Sequence, residues 1–91
     1  MWGFFIEQNF TLMHTVYALQ SVNRNYIYVG MTTNLESRLM RHNNGHNKKT
    51  KPYRPFKVIY TENYPTRIEA REREKYLKSG IGKEFLKTLK T

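Results

Sequence analysis

Residues 15–30 decide the fold: Thr15-Val16-Tyr17-Ala18-Leu19, then Gln20-Ser21-Val22-Asn23-Arg24-Asn25, then Tyr26-Ile27-Tyr28-Val29-Gly30. The two outer runs are dominated by β-branched and aromatic residues, which suit a pleated, half-buried surface. The six residues between them are polar and include two asparagines, so the stretch predicts a β-hairpin whose strands are antiparallel neighbours.

Downstream of the hairpin the hydrophobic period changes from that of a strand to that of a helix. Thr33 or Asn34 can cap a helix, Leu35 and Leu39 lie four apart on one face, and Asn43-Asn44-Gly45 stops it. Arg38 and His42 are also four apart and share a face adjoining the leucine stripe. The segment 46–55 is basic and rich in turn residues, so it is expected to be an irregular loop. Residues 56–60, Phe56-Lys57-Val58-Ile59-Tyr60, alternate as a third strand. Thr66, with Glu69 three residues on, forms a capping-box pattern for a second helix running to Ser79-Gly80. Gly80-Ile81-Gly82 should break the chain before a short last helix over 83–90, with Phe85, Leu86 and Leu89 inward. The expected order is strand, strand, helix, strand, helix, helix, an α+β domain over 13–91. Residues 1–12 form an arm that shows no clean period.

Composition narrows the classes. Ninety-one residues support one domain, and without cysteine apolar packing must hold it alone. A content of 38% hydrophobic and 14% aromatic residues is too apolar for a disordered basic tail. No stretch approaches the roughly 18 apolar residues of a membrane span. The start Met1-Trp2-Gly3-Phe4-Phe5-Ile6-Glu7 lacks a signal peptide's basic region and cleavage site. A cytoplasmic protein is the expectation. Sixteen Lys and Arg against seven acidic residues, all Glu, give a net charge of +9, which favours a phosphate-rich partner, nucleic acid first.

Several chemistries find no support. Three scattered histidines with no cysteine offer no zinc spacing except His42 and His46, which straddle the helix stop. Glycines at 3, 30, 45, 80 and 82 fit neither nucleotide-loop pattern, and Ser21, Ser37 and Ser79 stand in no nucleophile elbow. What remains is Tyr17, Tyr28, Arg38, His42 and Glu74, drawn from both hairpin strands and both main helices. Singly, each has an ordinary structural use: a packed tyrosine, a solvated arginine, a glutamate paired with a neighbouring arginine. Together they are the inventory of phosphodiester hydrolysis, which needs a base for water, a cation for the phosphorane and a metal or acid for the leaving oxygen. Ala70, Glu74 and Leu77 share one helix face, so Glu74 lies beside the buried stripe, where an unpaired carboxylate is costly. Mg²⁺ keeps several waters and takes one or two carboxylates, so a single Glu74 beside a substrate phosphate suffices.

At these residues the chain resembles the GIY-YIG nuclease family. Thr15-Val16-Tyr17 stands for the first motif, with Thr where Gly is usual, and Tyr28-Val29-Gly30 for the second. Asn34-Leu35, Arg38 with His42, Glu69-Ala70 and Glu74-Lys75 agree further. The resemblance covers about 14–90 and is to small stand-alone members related to the N-terminal nuclease domain of the bacterial excision-repair protein UvrC. It implies a three-stranded antiparallel sheet flanked by helices and one-metal hydrolysis of DNA, in repair or recombination. By position, Tyr17 and Tyr28 would line the site, Arg38 would bind the scissile phosphate, His42 would assist proton transfer and Glu74 would hold Mg²⁺ or Mn²⁺. Gly30 would let the backbone approach the site, and Asn34 belongs to the structural motif. Which tyrosine activates water stays open.

Two departures stand beside the agreement: Met31 occupies a position where several members place Lys, and 81–91 contain no Asn. Arg41 or a lysine of 48–51 would have to replace the missing cation. Lys48, Lys49, Lys51 and Arg54, interleaved with Tyr53, combine phosphate contacts with a stacking ring and are expected to hold nucleic acid without reading its sequence. The leading expectation is a structure-selective or weakly sequence-specific endonuclease. A catalytically silent nucleic-acid-binding module on the same scaffold is the alternative, and an adaptor docking through Trp2, Phe4, Phe5 and Phe10 is a third.

Overall fold

The computed structural model describes residues 12–90. Its centre is β1 (His14–Ser21), flanked by β2 (Ile27–Thr32) and β3 (Phe56–Tyr64) in an antiparallel sheet of order β2-β1-β3. Four consecutive β1 residues, Val16, Tyr17, Ala18 and Leu19, are fully buried. Because side chains alternate across a strand, such a run must be covered on both faces. Val16 and Ala18 join Val29, Ala70, Leu77 and Leu86 in one core, beneath α2 (Arg67–Lys78) and α3 (Gly80–Lys87). Tyr17 and Leu19 join Phe56 in a second, beneath α1 (Leu35–Asn43) and a short 3₁₀ turn at Lys51–Tyr53.

The architecture is the α+β arrangement expected from the sequence, in the order β-β-α-β-α-α. The Asn34 side chain caps α1 by accepting from the Ser37 N–H at 3.0 Å. Thr66 caps α2 by accepting from the Glu69 N–H at 3.2 Å, and its hydroxyl donates to the Glu69 carboxylate at 2.9 Å. The turn after α1 contains Gly45 at φ +79°, a left-handed conformation that favours glycine. Asn43 fastens the end of α1 to the start of β3, accepting from the Phe56 N–H at 2.7 Å and donating to the Phe56 carbonyl at 3.4 Å.

Three expectations need correction. The third strand runs four residues past Tyr60, because β1 supplies pairing partners out to His14↔Tyr64. Gly80-Ile81-Gly82 does not break the chain but opens α3, since Ser79 ends α2 and its hydroxyl accepts from the Gly82 N–H at 3.2 Å. Phe85 is 38% exposed rather than inward, its ring set edge-on to Tyr60 at 5.8 Å. The arm expected over 1–12 lies, Leu12 apart, outside the described residues. Among those described, no helix is long and apolar enough to cross a membrane.

Candidate active site

Hairpin register assembles the first half of the site. Tyr17 pairs with Gly30 and Leu19 with Tyr28, so both tyrosines emerge on the α1 face. Gly30 is required by proximity: a Cβ there would lie 2.6 Å from the Tyr17 hydroxyl. The two phenol rings are 6.3 Å apart. Tyr17 is fully buried, whereas Tyr28 is half-buried.

The second half comes from α1. His42 is fully buried, with its Nε2 3.3 Å from the Tyr17 hydroxyl and its Nδ1 2.8 Å from the Thr50 hydroxyl. Thr50 donates to the Asn47 carbonyl at 3.4 Å, so it accepts from His42 Nδ1–H. That bonding pattern assigns the tautomer, leaving Nε2 unprotonated and able to accept the Tyr17 O–H. Burial, reinforced by the positive charges of Arg38 and Arg41, lowers the His42 pKa and favours the neutral ring. Burial likewise pushes Tyr17 up to about 12, helped by Tyr28 and Glu74 and opposed by Arg38. Both Arg38 and Glu74 therefore act electrostatically on the Tyr17 hydroxyl.

Arg38, one turn before His42, is half-buried and opens onto a cleft of about 510 Å³. Asn34, Ser37, Arg41, His42 and Asn47 are among the other residues that line it. Two guanidinium groups and several neutral hydrogen-bonding groups facing one polar cleft are suited to a phosphate. Glu74 projects from α2, which packs across β1 and β2. Its side chain is 13% exposed, and Lys78 Nζ stands 3.1 Å and Arg71 Nε 3.9 Å from its oxygens. Among the described residues no three His, Asp or Glu side chains group as a metal centre.

Tyr17, Tyr28, Arg38 and His42 are thus brought together with Asn34 and Arg41, and Glu74 lies within electrostatic reach. The loop residues are placed otherwise. Lys48, Lys51 and Arg54 are exposed and line none of the clefts described, the Arg54 guanidinium donating to the Lys51 carbonyl at 3.2 Å. Lys49 faces a different cleft along β2. Tyr53 is stacked on Tyr26, 3.9 Å between ring centroids and 8° from parallel, with the Arg24 guanidinium 5.6 Å over its ring. Its aromatic face is already engaged within the protein. Thr50 and Asn47 were not singled out from the sequence. The pattern Asn47-Lys48-Lys49-Thr50 does carry a local signal, since the Asn47 side chain accepts from the Lys49 N–H at 2.9 Å in an Asx-type turn.

A family model described as the GIY-YIG catalytic domain matches residues 13–86, and the chain belongs to that family of nucleases. It is 35% identical over 77 residues to a UPF0213 protein of Staphylococcus epidermidis, covering 84% of this chain and 93% of that relative. A UPF0213 protein of Clostridium perfringens is 40% identical over 67 residues, covering 72% and 71%. The solution NMR structure of a UPF0213 protein from Bacillus halodurans superposes with a TM-score of 0.51 at 33% identity, covering 86% of this chain and 85% of that one. The Bacillus halodurans protein shares the sheet and helix order described above.

Proposed function

We propose that the protein is a metal-dependent DNA endonuclease, structure-selective or weakly sequence-specific, acting in DNA repair or recombination. The observation that carries this reading is the clustering of Tyr17 and Tyr28 around His42, which with Arg38 lines one polar cleft, and the electrostatic coupling of Arg38 and Glu74 to Tyr17. Arg38 and Arg41 receive the scissile phosphate and offset the charge that grows on it. Tyr28 is the tyrosine that solvent reaches, and its ring lies 4.7 Å from that of His42, so it meets the attacking water. Tyr17 and Thr50 hold the neutral imidazole between them, so any proton its Nε2 takes comes through the Tyr17 hydroxyl. Glu74 fits a hard cation that keeps most of its water, provided Lys78 swings away from the carboxylate. Mg²⁺ or Mn²⁺ bound there would act as a Lewis acid toward the phosphate oxygens.

Two observations favour a second reading, a silent nucleic-acid-binding module: Glu74 is already held by Lys78, and Met31 supplies no cation. Cleavage separates the two. Purified protein is incubated with branched, flapped, single-stranded and duplex DNA plus Mg²⁺ or Mn²⁺, alongside Arg38→Ala and Glu74→Ala. The endonuclease reading expects metal-dependent cutting that falls by about 100-fold or more in each variant. Cutting that survives both substitutions would sink the site assignment, and binding without any cutting would establish the silent module.

A further inference from the structure

The outer edge of β2 carries a second feature that the cleavage chemistry does not use. Strand β2 ends the sheet, so among the described residues its far side has no strand partner. Along that side run two confluent clefts of about 230 and 350 Å³, sharing Tyr26, Ile27, Val29 and Lys83. The first has an apolar floor completed by Leu86 and a rim of Lys83, Lys87 and Lys90. The second extends to Tyr28, Lys49 and Lys78, and so reaches the candidate active site.

We propose that this groove binds a single-stranded segment of the DNA substrate flanking the scissile phosphate. Resting on the endonuclease reading above, this gives it a source of structural selectivity. Single-strand grooves combine a cationic wall that tracks the backbone with aromatic and apolar surface for bases. Both are present: a line of lysines, and an apolar floor open at Ile27 and Tyr26, with Val29 and Leu86 buried beneath it and the Tyr26 ring stacked on Tyr53. Lysine charge is available as well. Lys49 and Lys83 form no ion pair among the described residues, Lys87 pairs only with the exposed Glu84 at 3.2 Å, and Lys90 bonds the neutral Asn25 at 2.6 Å. Stacked bases in an intact duplex cannot reach such a floor, whereas unpaired ones can.

The test uses the full chain and a fluorescent oligothymidylate of about 12 nucleotides. Binding is followed by anisotropy across a salt series for wild type, for Lys83→Gln with Lys87→Gln, and for the control pair Arg67→Gln with Lys75→Gln, which lines neither cleft. Thermal unfolding checks that each variant is folded. The groove pair should weaken binding and make the slope of log K against log salt shallower by about 1.4, at roughly 0.7 per phosphate contact on single strands. The control pair should leave the slope at its wild-type value. An unchanged slope in the groove pair would overturn the proposal and leave these lysines as guards of an edge strand against pairing. Wild-type protein that binds and cuts duplex but ignores the oligonucleotide would overturn the groove alone. Failure to bind any DNA would bring down the endonuclease reading with it.

Discussion

At Thr50 a buried hydroxyl in the basic loop sets the tautomer of a histidine eight residues away. Thr50→Val keeps the shape and removes the bond, leaving His42 Nδ1 without its partner. The expected cost is about 1–3 kcal/mol, read as a lower urea midpoint. Gly30→Ala acts from the opposite wall, since a methyl group would meet the Tyr17 hydroxyl and ring; overpacking of this kind costs about 1–3 kcal/mol in the same measurement. The pH dependence follows from the two shifted groups. His42 is held below its ordinary value, so on acidification through about 6.5 the unfolded chain takes up a proton that the folded chain refuses. Stability is therefore full above about pH 6.5 and falls as the pH drops toward the folded pKa. Tyr17 mirrors this: its unfolded phenol ionises near 10, the folded one near 12, and stability is lost as the pH rises between them. Urea midpoints across the pH range check both limbs, and His42→Gln should flatten the acid one. The five principal residues were legible because each sits at a strand or helix spacing. Thr50 was not, because its partner is fixed by how the loop folds back.

Among the elements, the junction of α2 and α3 shows what local rules capture and what they omit. Thr66 with Glu69 announces the start of α2, because a cap is a contact between residues three apart. Glycine is also a fair helix-stop signal, yet Gly82 lies inside α3. A Cβ on it would come 2.1 Å from the Tyr76 carbonyl, so the residue is glycine to let α3 turn tightly against the end of α2. Gly80 has open space around the same position. Gly82→Ala is therefore expected to destabilise the protein by more than about 1 kcal/mol despite its better helix propensity, while Gly80→Ala is neutral or slightly stabilising. Thermal unfolding of the two variants gives the comparison directly. Leu86 was correctly expected to point inward. Phe85 was not, because the inward face of α3 is set by where the helix begins, and it begins at Gly80.

For the whole molecule the governing quantity is the +9 charge. If about five phosphates are contacted on duplex DNA, log K should fall against log salt with a slope near −4.5, measurable by anisotropy titration. The fold distributes that charge unevenly. Arg38 and Arg41 face the polar cleft, a row of lysines borders the β2 edge, and Lys78 and Arg71 are turned toward Glu74. Glu74 was identified by its place beside the apolar stripe of α2, and its side chain is indeed mostly covered. Its approach to Tyr17 depends on α2 crossing the sheet, which no helix periodicity encodes.

What the sequence determined by itself was everything carried by contacts a few residues long: the hairpin, the caps, the element order, and the side chains that share a strand or helix face. Only the tertiary structure decided which faces meet. Packing α1 and the 46–55 loop on one side of β1, and α2 with α3 on the other, joined His42 to Thr50 and Tyr17, covered Glu74 with Lys78, and left a lysine-lined edge along β2. Those outcomes depend on distances between residues far apart in the chain, and such distances exist only once the two cores have closed.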